Sequence, residues 1–147
     1  MTAPALFESI RGQLVVLLHR DAHARQRIEV ELLVMGYSVL TLASRDDLVA
    51  YLDGAAAYDA RVAFPDLLVA DELTIGVSGL LRLEWRQIAV ARMPVLLLTD
   101  GPLSTEDRFR ATLGVTRVLR RPYTRADLIH AVQELVPMPY TDEPTRH

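Results

Sequence analysis

The stretch PDLLVADELTIGVSG, residues 65–79, holds four apolar residues in a row, Leu67 to Ala70, and then breaks abruptly into Asp71 and Glu72. A continuous apolar run of that length, without alternation, reads as a strand covered on both faces. LVVLL (14–18) and VLLLT (95–99) have the same character. SVLTLA (38–43) is a further strand, and RVLR (117–120) a weaker fifth.

Segments of helical period separate these strands. Ile28, Leu32 and Met35 share a face before Gly36, a residue suited to ending a helix. Leu48 and Leu52 do so after Ser44, which suits an N-cap. Leu128, Ala131, Val132 and Leu135 form a stripe after Thr124 that Pro137 stops. The order is strand then helix, five times over. It predicts an α/β fold with a parallel sheet, right-handed crossovers and helices on both faces. In such sheets ligands and chemistry gather at the carboxyl ends of the strands. Those ends carry His19-Arg20-Asp21, Asp71-Glu72, Thr99-Asp100 and Arg120-Arg121-Pro122. The stretch DGAAAYDARVAFP (53–65) reads as a long connection of small residues, and residues 137–147 as a flexible tail.

The 147 residues, half of them hydrophobic, suit one domain with a real core. The absence of cysteine excludes disulfides, thiolate metal sites and cysteine nucleophiles, and agrees with a reducing compartment. No apolar run approaches the roughly 20 residues of a membrane span, so a soluble cytoplasmic protein is expected. The net charge of -3 gives no basic footprint for nucleic acid, although every basic residue other than histidine is Arg.

The triplet His19-Arg20-Asp21 could suggest the catalytic loop of a protein kinase, in which an Asn follows the Asp by five residues. Position 26 is Gln26, and no Gly-rich phosphate loop precedes it. The motifs instead resemble those of the receiver domain of two-component response regulators, over about residues 14–136. PDLLVADELTIGVSG is similar to that family's third strand, with Asp71 in the place of the phosphoacceptor and Gly79 eight residues later. MPVLLLTDG (93–101) resembles the fourth strand with its switch Thr, here Thr99. LGVTRVLRRPYTRADL (113–128) resembles the fifth strand and the turn after it. Arg121 there stands for the usual Lys, twenty-two residues beyond Thr99.

The resemblance implies a flavodoxin-like fold of three layers, a doubly wound five-stranded sheet in the order 2-1-3-4-5. It divides the chain into an extension (1–13), a receiver (14–136) and a tail (137–147), and implies a cis Arg121-Pro122 bond. It implies no enzyme, but an acceptor of a phosphoryl group from a sensor histidine kinase on Asp71, with Thr99 and Arg121 binding phosphate. Departures are plain. The two acids that hold Mg²⁺ after the first strand are His19 and Arg20 here, and Asp21 falls one place later. Asp21 and Asp71 would form at most a weakened Mg²⁺ site, with Arg20 and Arg121 supplying positive charge in its place. Arg20 paired to Asp71 is the alternative, a locked module that binds proteins without responding to phosphate. Val118 takes the position of the switching aromatic residue, and Ile75 that of a loop Pro.

A nucleotide binder of this fold would need a Gly-rich loop after the first strand, which HRDAHAR lacks. A small phosphohydrolase would need the missing acids. His19 and His23 make a poor metal clip because a strand end and a helix start separate them. His130 and Trp85 read as border and packing residues. With no further domain expected, the output is a protein partner, reached through the face of the fourth and fifth helices and the fifth strand. Leu103, Phe109, Arg117 and Tyr123 are candidates there, for a downstream protein or a homodimer, with no nucleic acid and no membrane involved.

Overall fold

The computed structural model describes residues 13–58, 65–76, 93–100 and 115–137. Gly79, Trp85, Leu103 and Phe109 lie outside them. Strands β1 (Leu14–Leu18), β2 (Ser38–Leu42), β3 (Leu67–Asp71), β4 (Val95–Thr99) and β5 (Arg117–Arg120) form one sheet in the order β2-β1-β3-β4-β5. Every neighbouring pair is parallel. Helices α1 (Ala22–Val34), α2 (Arg45–Tyr58) and α3 (Arg125–Leu135) connect or follow them, and residues 72–76 form a single helical turn after β3. The helix expected between β4 and β5 falls on residues 101–114, outside the described set.

The continuous apolar strands are continuous because both faces are covered. Val16, Leu18, Leu68, Ala70, Leu97 and Val118 point to one side, where they meet Leu48 and Leu52 of α2 and Ile75. Val15, Leu17, Leu67, Val69, Leu96 and Leu98 point to the other, where Ile28 and Leu32 of α1 and Leu128, Ala131 and Val132 of α3 lie over them. This is the three-layer arrangement that the alternation of elements predicts. Val118 belongs to the α2 side and is buried there.

The helix ends follow local chemistry. Asp21 caps α1, its carboxylate accepting from the amides of His23 at 3.0 Å and Ala24 at 3.4 Å. At the far end Gly36 takes φ 101, its amide donates to Leu33 O at 3.0 Å, and the Tyr37 amide reaches Leu32 O at 3.2 Å. Those two bonds make a Schellman ending, which needs a residue tolerant of positive φ at that point. Ser44 accepts from the Asp47 amide at the start of α2. Thr124 and Asp127 form a reciprocal capping box on α3.

Boundaries differ from the sequence reading at three places, one of them the end of β2 at Leu42 rather than Ala43. Residues 53–58, expected in a connection, belong to α2. The run Ala55–Ala57 has high helix propensity, and Gly54 costs only about 1 kcal/mol there, so the small residues extend the helix rather than ending it. Strand β3 runs one residue further, to Asp71, because Asp71 still pairs in register with Leu98.

Candidate functional site

Strand register assembles the site. Leu18 lies opposite Ala70, Asp71 opposite Leu98, and Thr99 opposite Arg120. The next residues, His19 after β1 and Arg121 after β5, therefore come level with Asp71 and Thr99 at the carboxyl edge. His19, Asp71 and Thr99 are the buried polar residues among those described, with 7%, 3% and 1% of their surface exposed.

Both carboxylate oxygens of Asp71 are engaged. Arg121 Nη2 donates to Oδ1 at 2.7 Å. Thr74 donates to Oδ2 twice, from its hydroxyl at 2.7 Å and its amide at 3.1 Å. Asp71 thus acts as the cap of the helical turn 72–76, which holds the carboxylate in a fixed orientation. Burial alone would raise the Asp71 carboxyl. The bonds from Thr74 and Arg121 and the surrounding positive charge outweigh burial and hold it below the usual carboxylate value. Burial would lower the Arg121 guanidinium, but the bond to Asp71 and the charges of Asp71 and Asp100 raise it. Asp100 Oδ1 lies 3.5 Å from Arg121 Nη1. The Arg121-Pro122 bond is cis, as the resemblance implies.

His19 packs against this pair. Its Nδ1 accepts from the Asp21 amide at 3.2 Å, so the neutral ring carries its proton on Nε2. Nε2 faces Asp71 Oδ1 at 3.8 Å and Arg121 Nη2 at 3.4 Å. Burial lowers the imidazole pKa, Asp71 partly opposes this, and Arg121 reinforces it. Held below its ordinary value, His19 is uncharged at neutral pH, and among the described residues Arg121 is the base that faces Asp71 with a full positive charge.

The hydroxyl of Thr99 donates to Glu72 Oε1. Thr99 is therefore at the edge of the site, where the resemblance puts it, and in contact with an acid that sequence reasoning passed over. Thr74 was also missed. An Asp at a strand end just before a helical turn is a preferred N-cap, accepting from the amide two or three residues on, and that signal was available in the sequence.

Two expectations are corrected by the geometry. Arg20 does not pair with Asp71; the arginine on that carboxylate is Arg121. Successive side chains at a strand end point to opposite sides, so His19 turns into the site and Arg20 out of it. The Arg20 guanidinium lines a separate open groove of about 350 Å³ with Arg45 and Asp46, while its amide donates to Thr74 Oγ1. Asp21 is not a site carboxylate, because it is exposed and bound to the first amides of α1. Of the expected interface residues, Arg117 forms an ion pair with Glu134, both partly exposed, and Tyr123 is half-buried beside the α1 and α3 core.

The donor set does not fit Mg²⁺. That ion takes oxygen ligands in octahedral array from one or two carboxylates, phosphate and water. Among the described residues the one buried carboxylate already accepts three bonds, the imidazole of His19 and the guanidinium of Arg121 rather than further acids stand beside it, and no group of three candidate ligands occurs.

With this geometry in hand, the likeness to known structures is specific. The chain superposes on the chemotaxis protein CheY4 of Vibrio cholerae with a TM-score of 0.66, at 21% identity, over 84% of this chain and 98% of that one. It matches a response regulator receiver protein from Burkholderia phymatum at 0.68, with 22% identity over 86% and 98% of the two chains. It also matches a putative response regulator from Chloroflexus aurantiacus at 0.69, with 20% identity over 84% and 96%. No family model and no curated protein matches the sequence. The fold is the receiver fold of CheY-like response regulators. Among the described residues no helix is long and apolar enough to cross a membrane.

Proposed function

We propose that this chain is a cytoplasmic receiver of a two-component system, accepting a phosphoryl group on Asp71 from a phosphohistidine of a sensor kinase. It is the acceptor in the transfer rather than an enzyme with turnover, and it signals by binding a downstream protein or a second copy of itself. The observation that carries the reading is the placement of Asp71 at the end of the central strand, bonded to Arg121 and flanked by Thr99.

In the transfer, an Asp71 oxygen bonds to phosphorus as the P–N bond of the phosphohistidine breaks. The leaving imidazole takes a proton from solvent, and the product is an acyl phosphate. Charge on the transferring oxygens must be neutralised for this to proceed. Arg121 supplies a full charge at Oδ1, and the Thr99 hydroxyl supplies a donor once it leaves Glu72. His19 excludes water from the same edge. Because the donor set does not suit Mg²⁺, the transfer is expected to be slow and independent of the ion.

A second reading is favoured by one observation: both oxygens of Asp71 are already bonded inside the chain. In that reading Arg121 and Thr74, rather than Arg20, hold Asp71 permanently, and the domain is a protein-binding adaptor insensitive to phosphate. Intact-mass spectrometry after incubation with acetyl phosphate separates the two, with and without Mg²⁺ and beside Asp71→Asn. A single phosphoryl gain, absent from the variant and equal in chelator and in Mg²⁺, supports the receiver. No gain, even with a cognate kinase, leaves the adaptor.

A further inference from the structure

The C-terminal half of helix α1 carries apolar residues on both sides, although Arg25, Gln26, Arg27, Glu29 and Glu31 share the helix. Ile28 and Leu32 are buried against the sheet, while Val30, Leu33 and Val34 on the opposite side are 51%, 49% and 77% exposed. Positions 30, 33 and 34 lie on one helical face. A surface helix of a globular protein ordinarily presents polar residues there, and an exposed apolar patch is a candidate contact surface. Beside the stripe runs a narrow apolar groove of about 100 Å³ between α1 and α3, walled by Val30, Val34, Met35 and Ile129. Glu31 from α1 and Arg125 from α3 border it, and neither makes an ion pair with another described residue.

We infer that this face is where two copies of the chain meet about a two-fold axis. The α1 stripes pack together, and Glu31 of each copy reaches Arg125 of the other. An acid and a base, each without an ion pair among the described residues, beside one apolar patch make that patch complementary to itself. A two-fold axis forms each cross-pair twice, as a closed dimer requires. The inference rests on the self-association proposed above but not on phosphorylation. It moves the contact away from the face of Arg117 and Tyr123. Stable interfaces bury about 800 Å² per partner, and a stripe of three side chains with a small groove offers less. The dimer is therefore weak, with a dissociation constant at or above the micromolar end of the range for standard-size interfaces.

Sedimentation velocity of the full chain across about 1–300 μM, concentrations that begin at that micromolar end, tests it. Val34→Glu, at a position already exposed, is expected to keep the wild-type circular dichroism and to weaken association about tenfold or more. Glu31→Arg and Arg125→Glu each weaken it, and the two together restore it, because the exchanged charges pair again. A chain that stays monomeric throughout overturns both this surface and the self-association it rests on. A dimer indifferent to Val34→Glu and to the charge exchange overturns the surface alone. A monomer that dimerises only after deletion of residues 1–12 assigns the face to that segment and overturns the second copy as its occupant.

Discussion

Replacing Arg121 with Met removes the guanidinium from Asp71 while keeping an unbranched apolar stem. The charge-assisted bond itself contributes about 1.5–3 kcal/mol. Removing one member of a fully buried pair costs about 3–5 kcal/mol, because the other charge is left without compensation. The Asp71 side chain is 5% exposed but that of Arg121 is 28% exposed, so the pair is only partly desolvated. Thr74 also remains on Oδ2. A loss of about 2–3 kcal/mol at pH 7 follows, below the range for a fully buried pair and within that of the charge-assisted bond.

Its pH dependence is the sharper check. In the wild type the folded carboxyl is held low, so its contribution is present above the unfolded value near 3.9 and lost as pH falls through the folded one. In Arg121→Met, burial becomes the larger influence and raises the carboxyl, so the ionised group now opposes folding at neutral pH. That penalty fades as acid protonates it. Urea unfolding followed by circular dichroism should show the gap between wild type and variant at its widest near neutrality and narrowing toward about pH 4. The double variant Asp71→Asn/Arg121→Met should recover a large share of the loss at pH 7, since no buried charge remains unpaired. A gap below about 0.5 kcal/mol, or one that does not change with pH, would refute the assignment of this pair as the electrostatic centre of the site.

Three other outcomes are expected. Asp21→Asn should keep the stability of α1, because Asn also caps, while Asp21→Ala should lower it; thermal melts of the two variants decide whether the residue acts as a cap. Glu72→Gln should speed phosphorylation of Asp71 by acetyl phosphate, by weakening the hold on the Thr99 hydroxyl; an unchanged rate in the mass assay would remove Glu72 from the switching reaction. His19→Asp should create a carboxylate pair level with Asp71, so that Mg²⁺ at about ten times its dissociation constant raises the melting temperature of the variant by about 3 °C and leaves the wild type unmoved.

The strands were legible because Leu67–Ala70 and Val95–Leu98 must be apolar on both faces, a demand that leaves an unbroken pattern in the chain. Asp71, Thr99 and Arg121 were legible together because in-register parallel pairing converts sequence spacing into proximity. The arginine partner was harder to read. Arg20 and Arg121 both follow strands, and only the direction of each side chain decides which meets Asp71; that direction changes with every residue along a strand. His19 was set aside for the same reason, although its place beside Arg20 means that one of the two must turn inward. Thr74 and Glu72 fell between motifs. The α2 boundary was misread because Gly54 and the alanines after it carry opposite local signals, and tertiary context settled it for the helix.

The bond from the Tyr37 hydroxyl to Val136 O, 2.8 Å long, spans ninety-nine positions of the chain. Tyr37 is 2% exposed, so without its partner a phenolic hydroxyl would be shut away from water with nothing to bond. During synthesis that partner leaves the ribosome after every strand has emerged. Until then the Tyr37 hydroxyl has no Val136 carbonyl to bond, and that face of the sheet lacks its α3 cover. An arrested chain stopping before Val136 would consequently hold its strands yet expose a wet seam between its earliest and latest helices, giving a protease a place to distinguish finished molecules from incomplete ones.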